Sequence, residues 1–79
     1  MTTTEPTDAV RVVLEGAEGP LHWTVVLDRA LREGLLSPFE IADVRGAVQR
    51  ALADLGRAGV ARRVSTGVWE LSGDRGTAP

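Results

Sequence analysis

The 79-residue sequence contains no cysteine and a single histidine, which excludes disulfides, thiolate metal sites and the usual zinc clusters. Tyrosine is absent, and the aromatic residues are two tryptophans and one phenylalanine. No apolar run approaches the roughly 18–20 residues of a membrane span, and no cationic segment leads into an apolar one near the start, as in a signal peptide. We therefore expect a cytoplasmic protein that folds through its apolar core alone.

Lysine is also absent, so the nine basic residues are all arginine. Together with abundant alanine, glycine and valine, this bias indicates a GC-rich coding sequence, as in actinobacteria. The hydrophobic fraction of 43% and the charged fraction of 25% are ordinary for a globular domain. The length allows one domain and excludes a second.

The charges are unevenly divided along the chain. Residues 8–44 hold seven acids and three arginines, a net charge of −4, whereas residues 45–64 hold five arginines and one acid, a net charge of +4. The net charge of −2 argues against a strongly basic nucleic-acid binder. The second half can nevertheless present a positive surface.

Two helices are predicted in the first half. One begins near Asp8, with Thr7 or Asp8 as its N-cap, and the other covers about residues 24–33, after an extended stretch at 21–23. Gly34 is expected to end the second helix in a left-handed conformation. The ordered domain is predicted to span residues 8–72, between disordered segments at 1–7 and 73–79.

The third helix has the clearest start signal. Ser37, Pro38 and Glu40 fit a capping box, which predicts a helix over residues 38–58. A break before Val44, leaving a short turn and then the main helix, is the alternative. Gly59 is expected to end this helix.

Two β-prone segments follow, at residues 60–64 and 68–71, joined by a three-residue loop that ends in Gly67. Alternation places Trp69 and Leu71 on one face of the hairpin. We expect both tryptophans of the chain, Trp23 and Trp69, to be mostly buried against the core. Three amphipathic helices and a hairpin predict a mainly α, α+β fold, a winged helix-turn-helix: a three-helix bundle with a C-terminal β-hairpin wing.

Two segments resemble the HARE-type winged helix-turn-helix family. Pro20-Leu21-His22-Trp23 leads into the second helix as the family's Pro-Leu-His-aromatic motif does, with Gly-Leu after that helix, and residues 64–71 are similar to the family's wing. The family includes the amino-terminal domain of the bacterial RNA polymerase delta subunit. The resemblance implies a non-catalytic, nucleic-acid-associated or interaction module. The Ser-Pro pair lies several residues earlier than the family's Thr-Pro, and Thr66 stands where the wing turn is often basic.

The sequence contains no pattern of residues that is typical of a catalytic site. No nucleophile or carboxylate is spaced to activate His22, whose expected role is to fix the turn into the second helix. Neither GxGxxG nor GxxxxGK[ST] is present. We expect no enzyme activity, no cofactor and no metal. The two tryptophans could stack on bases, although core packing is the simpler interpretation.

The outer face of the third helix carries the functional hypothesis. Arginine pairs with guanine and glutamine with adenine in a bidentate manner, so helix residues are assigned to base contacts and later arginines to phosphates. The predicted DNA-binding residues are Arg45, Gln49, Arg50, Arg57, Arg62 and Arg63. The simpler interpretation is a solvated face with i, i+4 pairs, for instance Arg50 with Asp54. Two functions stay open: a transcription-related DNA-binding domain, or a module that docks on a protein partner such as RNA polymerase.

Overall fold

The computed structural model describes residues 5–72; of the predicted disordered segments, residues 1–4 and 73–79 lie outside this range. The elements in chain order are α1 (Pro6–Glu15), β1 (Leu21–His22), α2 (Trp23–Arg32), α3 (Val44–Arg57), β2 (Ala61–Ser65) and β3 (Val68–Leu71). The strands form one antiparallel sheet in the order β1-β3-β2. This α+β arrangement is that of a winged helix-turn-helix, as predicted, with a third short strand added to the hairpin.

Helix α1 begins at Pro6, two residues before the predicted start, so the predicted disordered segment ends too late. Its N-cap is Glu5, which makes no side-chain capping bond, and the predicted caps Thr7 and Asp8 lie in the first turn. Proline suits this position because an N–H group in the first turn has no carbonyl partner within the helix, so its absence in proline costs no hydrogen bond. The α1 residues that pack inward are Ala9, Val10, Val13 and Leu14.

Helix α2 is fixed at both ends by local hydrogen bonds. Nδ1 of His22 accepts a bond from the backbone N–H of Thr24 at 3.2 Å, so the histidine is the N-cap, in the structural role predicted for it. Trp23 is therefore the first helical residue, not part of the extended stretch. Gly34 has a φ of +73°, and the next N–H, of Leu35, donates to the carbonyl of Ala30 at 2.9 Å. This ending is a Schellman motif and turns the chain back toward the core.

The prediction of one helix over residues 38–58 is wrong, and the alternative with a break before Val44 is confirmed. The side chain of Asp43 accepts a bond from the N–H of Gly46 at 3.0 Å and caps α3. Ser37 instead caps a single turn, in which its Oγ accepts from the N–H of Phe39 at 3.3 Å. The two capping residues lie six positions apart, and the carboxylate accepts the stronger, charge-assisted bond.

The hairpin differs from its prediction at the turn. Ser65 pairs with Val68, which leaves a two-residue turn, Thr66-Gly67, and Val64 is the extra residue of a bulge in β2. Gly67 has the expected left-handed φ, +74°. The other pairs place Arg63 opposite Trp69 and Arg62 opposite Glu70.

The core lies between the three helices and is closed by the sheet. The fully buried side chains of greatest volume are Leu52, Val10, Val26 and Val48. Trp23 and Trp69 pack against this core and are mostly buried, as expected, although part of each indole stays accessible to solvent. The helices bring enough aliphatic side chains to fill the interior, which leaves both indoles at its edge.

Two glycines with left-handed backbones give a matched test of the turn before β3. A Cβ on Gly67 would lie 2.9 Å from Nε2 of His22, whereas nothing lies within 4 Å of one on Gly34. In both alanine variants the free energy of unfolding should fall by about 1–2 kcal/mol, because alanine disfavours the left-handed conformation. Gly67→Ala should lose more, because His22 must move and weaken the α2 cap. Urea unfolding of the two variants measures the difference, and equal losses would contradict the packing of Gly67 on His22.

Candidate functional site

All six predicted DNA-binding residues are exposed, but the structure does not place them on one face. Four lie on α3 and two on β2. The buried residues of α3 are Ala47, Val48, Ala51, Leu52 and Leu55, so the polar residues between them diverge to the two sides of the helix. One side faces the sheet and the other faces the start of α1.

On the sheet side, a groove of about 210 Å³ separates α3 from the hairpin. Its lining residues are Trp23, Gln49, Leu52, Arg63, Gly67 and Trp69. Arg63 reaches this groove because it pairs directly with Trp69, and cross-strand partners share a face of the sheet. The helix and the hairpin therefore contribute one polar side chain each, Gln49 and Arg63, to a groove with two aromatic side chains.

On the other side, Arg50 lines a smaller cleft of about 140 Å³ with Asp54 and residues 6–7 of α1. Its guanidinium extends back over the first turn of α3. A Cβ on Gly46 would lie 3.1 Å from Nη1 of Arg50 and would clash with the carboxylate of Asp43. Glycine at position 46 therefore leaves room for both the capping carboxylate and the guanidinium beside the first turn. Arg50 and Gln49 consequently belong to two separate surfaces.

Two of the five arginines in this region already have acidic partners. Arg57 bonds to Asp54 one turn earlier, so the predicted pair of Arg50 with Asp54 is wrong. Arg62 donates from Nε and Nη2 to Oε2 of Glu70, at 2.8 and 2.7 Å, on the face of the hairpin away from Arg63. Within residues 5–72, Arg45, Arg50 and Arg63 form no ion pair.

These two ion pairs are not fixed features of the surface. The side chains of Arg57 and Arg62 are 73% and 66% exposed. Exposed pairs contribute about 0–1 kcal/mol. Asp54 is 53% exposed and Glu70 is 25% exposed, so an incoming phosphate can replace Asp54 more readily than Glu70. The paired arginines therefore stay available to an anion, at a lower affinity than the three that have no acidic partner among residues 5–72.

One exposed residue was missed as a functional candidate. Phe39 is 97% exposed on the turn between α2 and α3, although it is the one phenylalanine of the chain. Residues 33–43 contain three acids and no arginine, so this turn is acidic as well as aromatic. The sequence signal was its position inside a capping box, outside any helical apolar stripe.

Neither a family model, nor a curated protein, nor a solved structure matches the chain. Among the described residues, no group of three or more acidic or histidine side chains is arranged to hold a metal ion. Over the same part of the chain, the helices are too short or too polar to cross a bilayer.

Proposed function

We propose that the protein is a small, cytoplasmic DNA-binding domain with a role in transcription, which contacts duplex DNA through α3 and the wing formed by β2 and β3. The observation that carries the proposal is the shared groove between α3 and the wing, which Gln49 and Arg63 both line. In winged helices the third helix enters the major groove and the wing lies beside it. The resemblance to HARE-type domains is compatible with this assignment and equally with a protein-docking module.

The proposed contacts divide by residue type. Arg45, Gln49 and Arg50 are assigned to base edges because they lie on α3 and have the side chains that read guanine and adenine. Arg63 is assigned to phosphate because it lies on β2 and has no acidic partner in the described part of the chain. Arg57 and Arg62 are assigned to phosphate as well, after exchange of their carboxylate partners. Asp43 and Asp54 oppose binding, which limits the expected affinity.

The competition between Glu70 and phosphate gives a test of the proposal. Glu70→Gln keeps the shape of the side chain, removes one negative charge and frees Arg62. We expect duplex DNA to bind about two- to fivefold more tightly, since the pair stabilises the free protein by up to about 1 kcal/mol. Fluorescence anisotropy of a labelled duplex at about 50 mM salt, where screening is weak, measures the change.

Glu33→Gln is the matched control, because it removes the same charge at the end of α2, away from the wing. Its affinity for the duplex should change less than that of Glu70→Gln. Equal tightening by both variants would mean that only net charge matters. No binding of any of these folded proteins at tens of micromolar would reject the DNA proposal.

The second candidate is a protein-docking module, and the exposed Phe39 favours it. An aromatic side chain that is 97% exposed on a capped turn resembles the anchors found at protein interfaces. With Glu33, Glu40 and Asp43 nearby in sequence, its partner would present an apolar pocket with a basic rim, on RNA polymerase or another protein. Loss of binding to such a partner in Phe39→Ala, without loss of DNA binding, would support this function.

A further inference from the structure

The groove between α3 and the wing contains the two largest side chains of the protein. Residues that serve only to fill the core are covered, as Val48 and Leu52 are, at 0% and 1% exposure. Trp23 and Trp69 instead pack on the core and leave part of each indole accessible to the groove. An accessible pair of indoles is a surface on which planar rings stack.

The polar residues of the groove complement such a ring. Gln49 offers an amide, which can donate and accept hydrogen bonds at a base edge. Arg63 supplies a charge that is not neutralised by any carboxylate of the described residues. Aromatic side chains together with a basic residue are the usual components of sites for single-stranded nucleic acid.

We propose that this groove binds an unpaired nucleobase of single-stranded nucleic acid. The base stacks on Trp23 or Trp69, its edge bonds to the amide of Gln49, and an adjacent phosphate contacts Arg63. The inference rests on the proposed function, since both place nucleic acid against α3 and β2. It adds a second binding mode, in which the ligand enters the groove instead of lying across it as a duplex.

The protein carries its own probe for this site. The chain has two tryptophans and no tyrosine, and both indoles line the groove, so intrinsic fluorescence reports on it directly. A 12-nucleotide single strand of mixed sequence, titrated at about 50 mM salt, should quench this emission. A strand of the same length made of abasic sites keeps the phosphates without the bases. It should bind at least about tenfold more weakly, the loss expected when one stacked base is removed.

Variants separate the two binding modes. Gln49→Ala and Trp69→Phe should each weaken the single strand severalfold; the first changes an exposed residue, so the test holds even if the second variant is unstable. Arg50→Ala should weaken duplex binding and leave the single strand unaffected, because Arg50 lines the other cleft. Arg29→Ala, on the exposed face of α2, is the control for both ligands.

Each outcome decides the inference. Quenching by the intact strand that is lost with abasic sites, and weakened by Gln49→Ala, supports it. Duplex binding without quenching by the single strand overturns it and leaves the duplex proposal standing. Equal binding of the intact and abasic strands also overturns it, because charge alone would then be recognised. Failure of both ligands to bind would overturn the inference and the proposed function together.

Discussion

Leu52→Ala is expected to lower the free energy of unfolding by about 2–5 kcal/mol. Leu52 is 1% exposed and sits in the middle of α3, among the largest fully buried side chains. Its loss leaves a cavity beneath the groove that surrounding residues can only partly fill. Domains of this size have a net stability of only a few kcal/mol. A large fraction of the variant should therefore be unfolded at room temperature, which far-UV circular dichroism in a urea titration measures.

Phe39→Ala is the control for this variant, because it removes a larger side chain that is 97% exposed. Its stability should stay within about 0.5 kcal/mol of the parent protein. Equal stability of Leu52→Ala and Phe39→Ala would mean that α3 does not pack against the core with the face that contains Leu52. A loss in Phe39→Ala as large as in Leu52→Ala would instead place the phenylalanine in the core.

Duplex affinity should fall about 50-fold between about 50 and 200 mM salt. Three phosphate contacts, from Arg57, Arg62 and Arg63, predict a slope of about −3 for log affinity against log salt concentration. Arg63→Ala should weaken binding to all sequences alike and flatten this slope by about 1. The effect follows from the exposure of Arg63 and from the absence of an acidic partner for it among the described residues. Anisotropy titrations at four or more salt concentrations give the slope.

Arg29→Ala removes the same charge from the exposed face of α2 and should leave the slope unchanged. A parent slope near zero would contradict phosphate contacts of any kind. Equal flattening by Arg29→Ala and Arg63→Ala would show that the whole protein charge, not the wing, determines the salt dependence.

The sequence contains enough information for the fold because the helices have strong, local signals. Apolar spacing located all three helices, and the glycines at positions 34 and 59 marked the ends of α2 and α3, each with a positive φ. The start of α3 was ambiguous because the sequence allowed both a helix from Pro38 and a break before Val44, and the structure places the N-cap at Asp43. A carboxylate accepts a stronger capping bond than a hydroxyl does, but this local difference does not by itself fix where a helix begins. The decision depends on which start lets the helix pack against the core.

The site was less predictable, because it depends on which neighbours the fold brings together. The pair of Arg62 with Glu70 joins residues eight positions apart, and only the strand register brings them together. The same register places Arg63 on the opposite face of the hairpin from Arg62, where it lines the groove with Gln49. A helical projection placed Arg50 opposite the core but could not show that α1 lies beside it. The exposure of both tryptophans likewise depends on how completely the aliphatic side chains fill the interior.

The most direct test of the account is backbone chemical-shift mapping of the folded protein with a random duplex at about 50 mM salt. DNA binding through α3 and the wing predicts that the amide shifts change along these elements, with the largest changes at residues 45–50 and 61–67. It predicts small changes in α1 and in the turn that carries Phe39. No shift changes at tens of micromolar protein, or changes confined to residues 33–43, would contradict DNA binding through α3 and the wing.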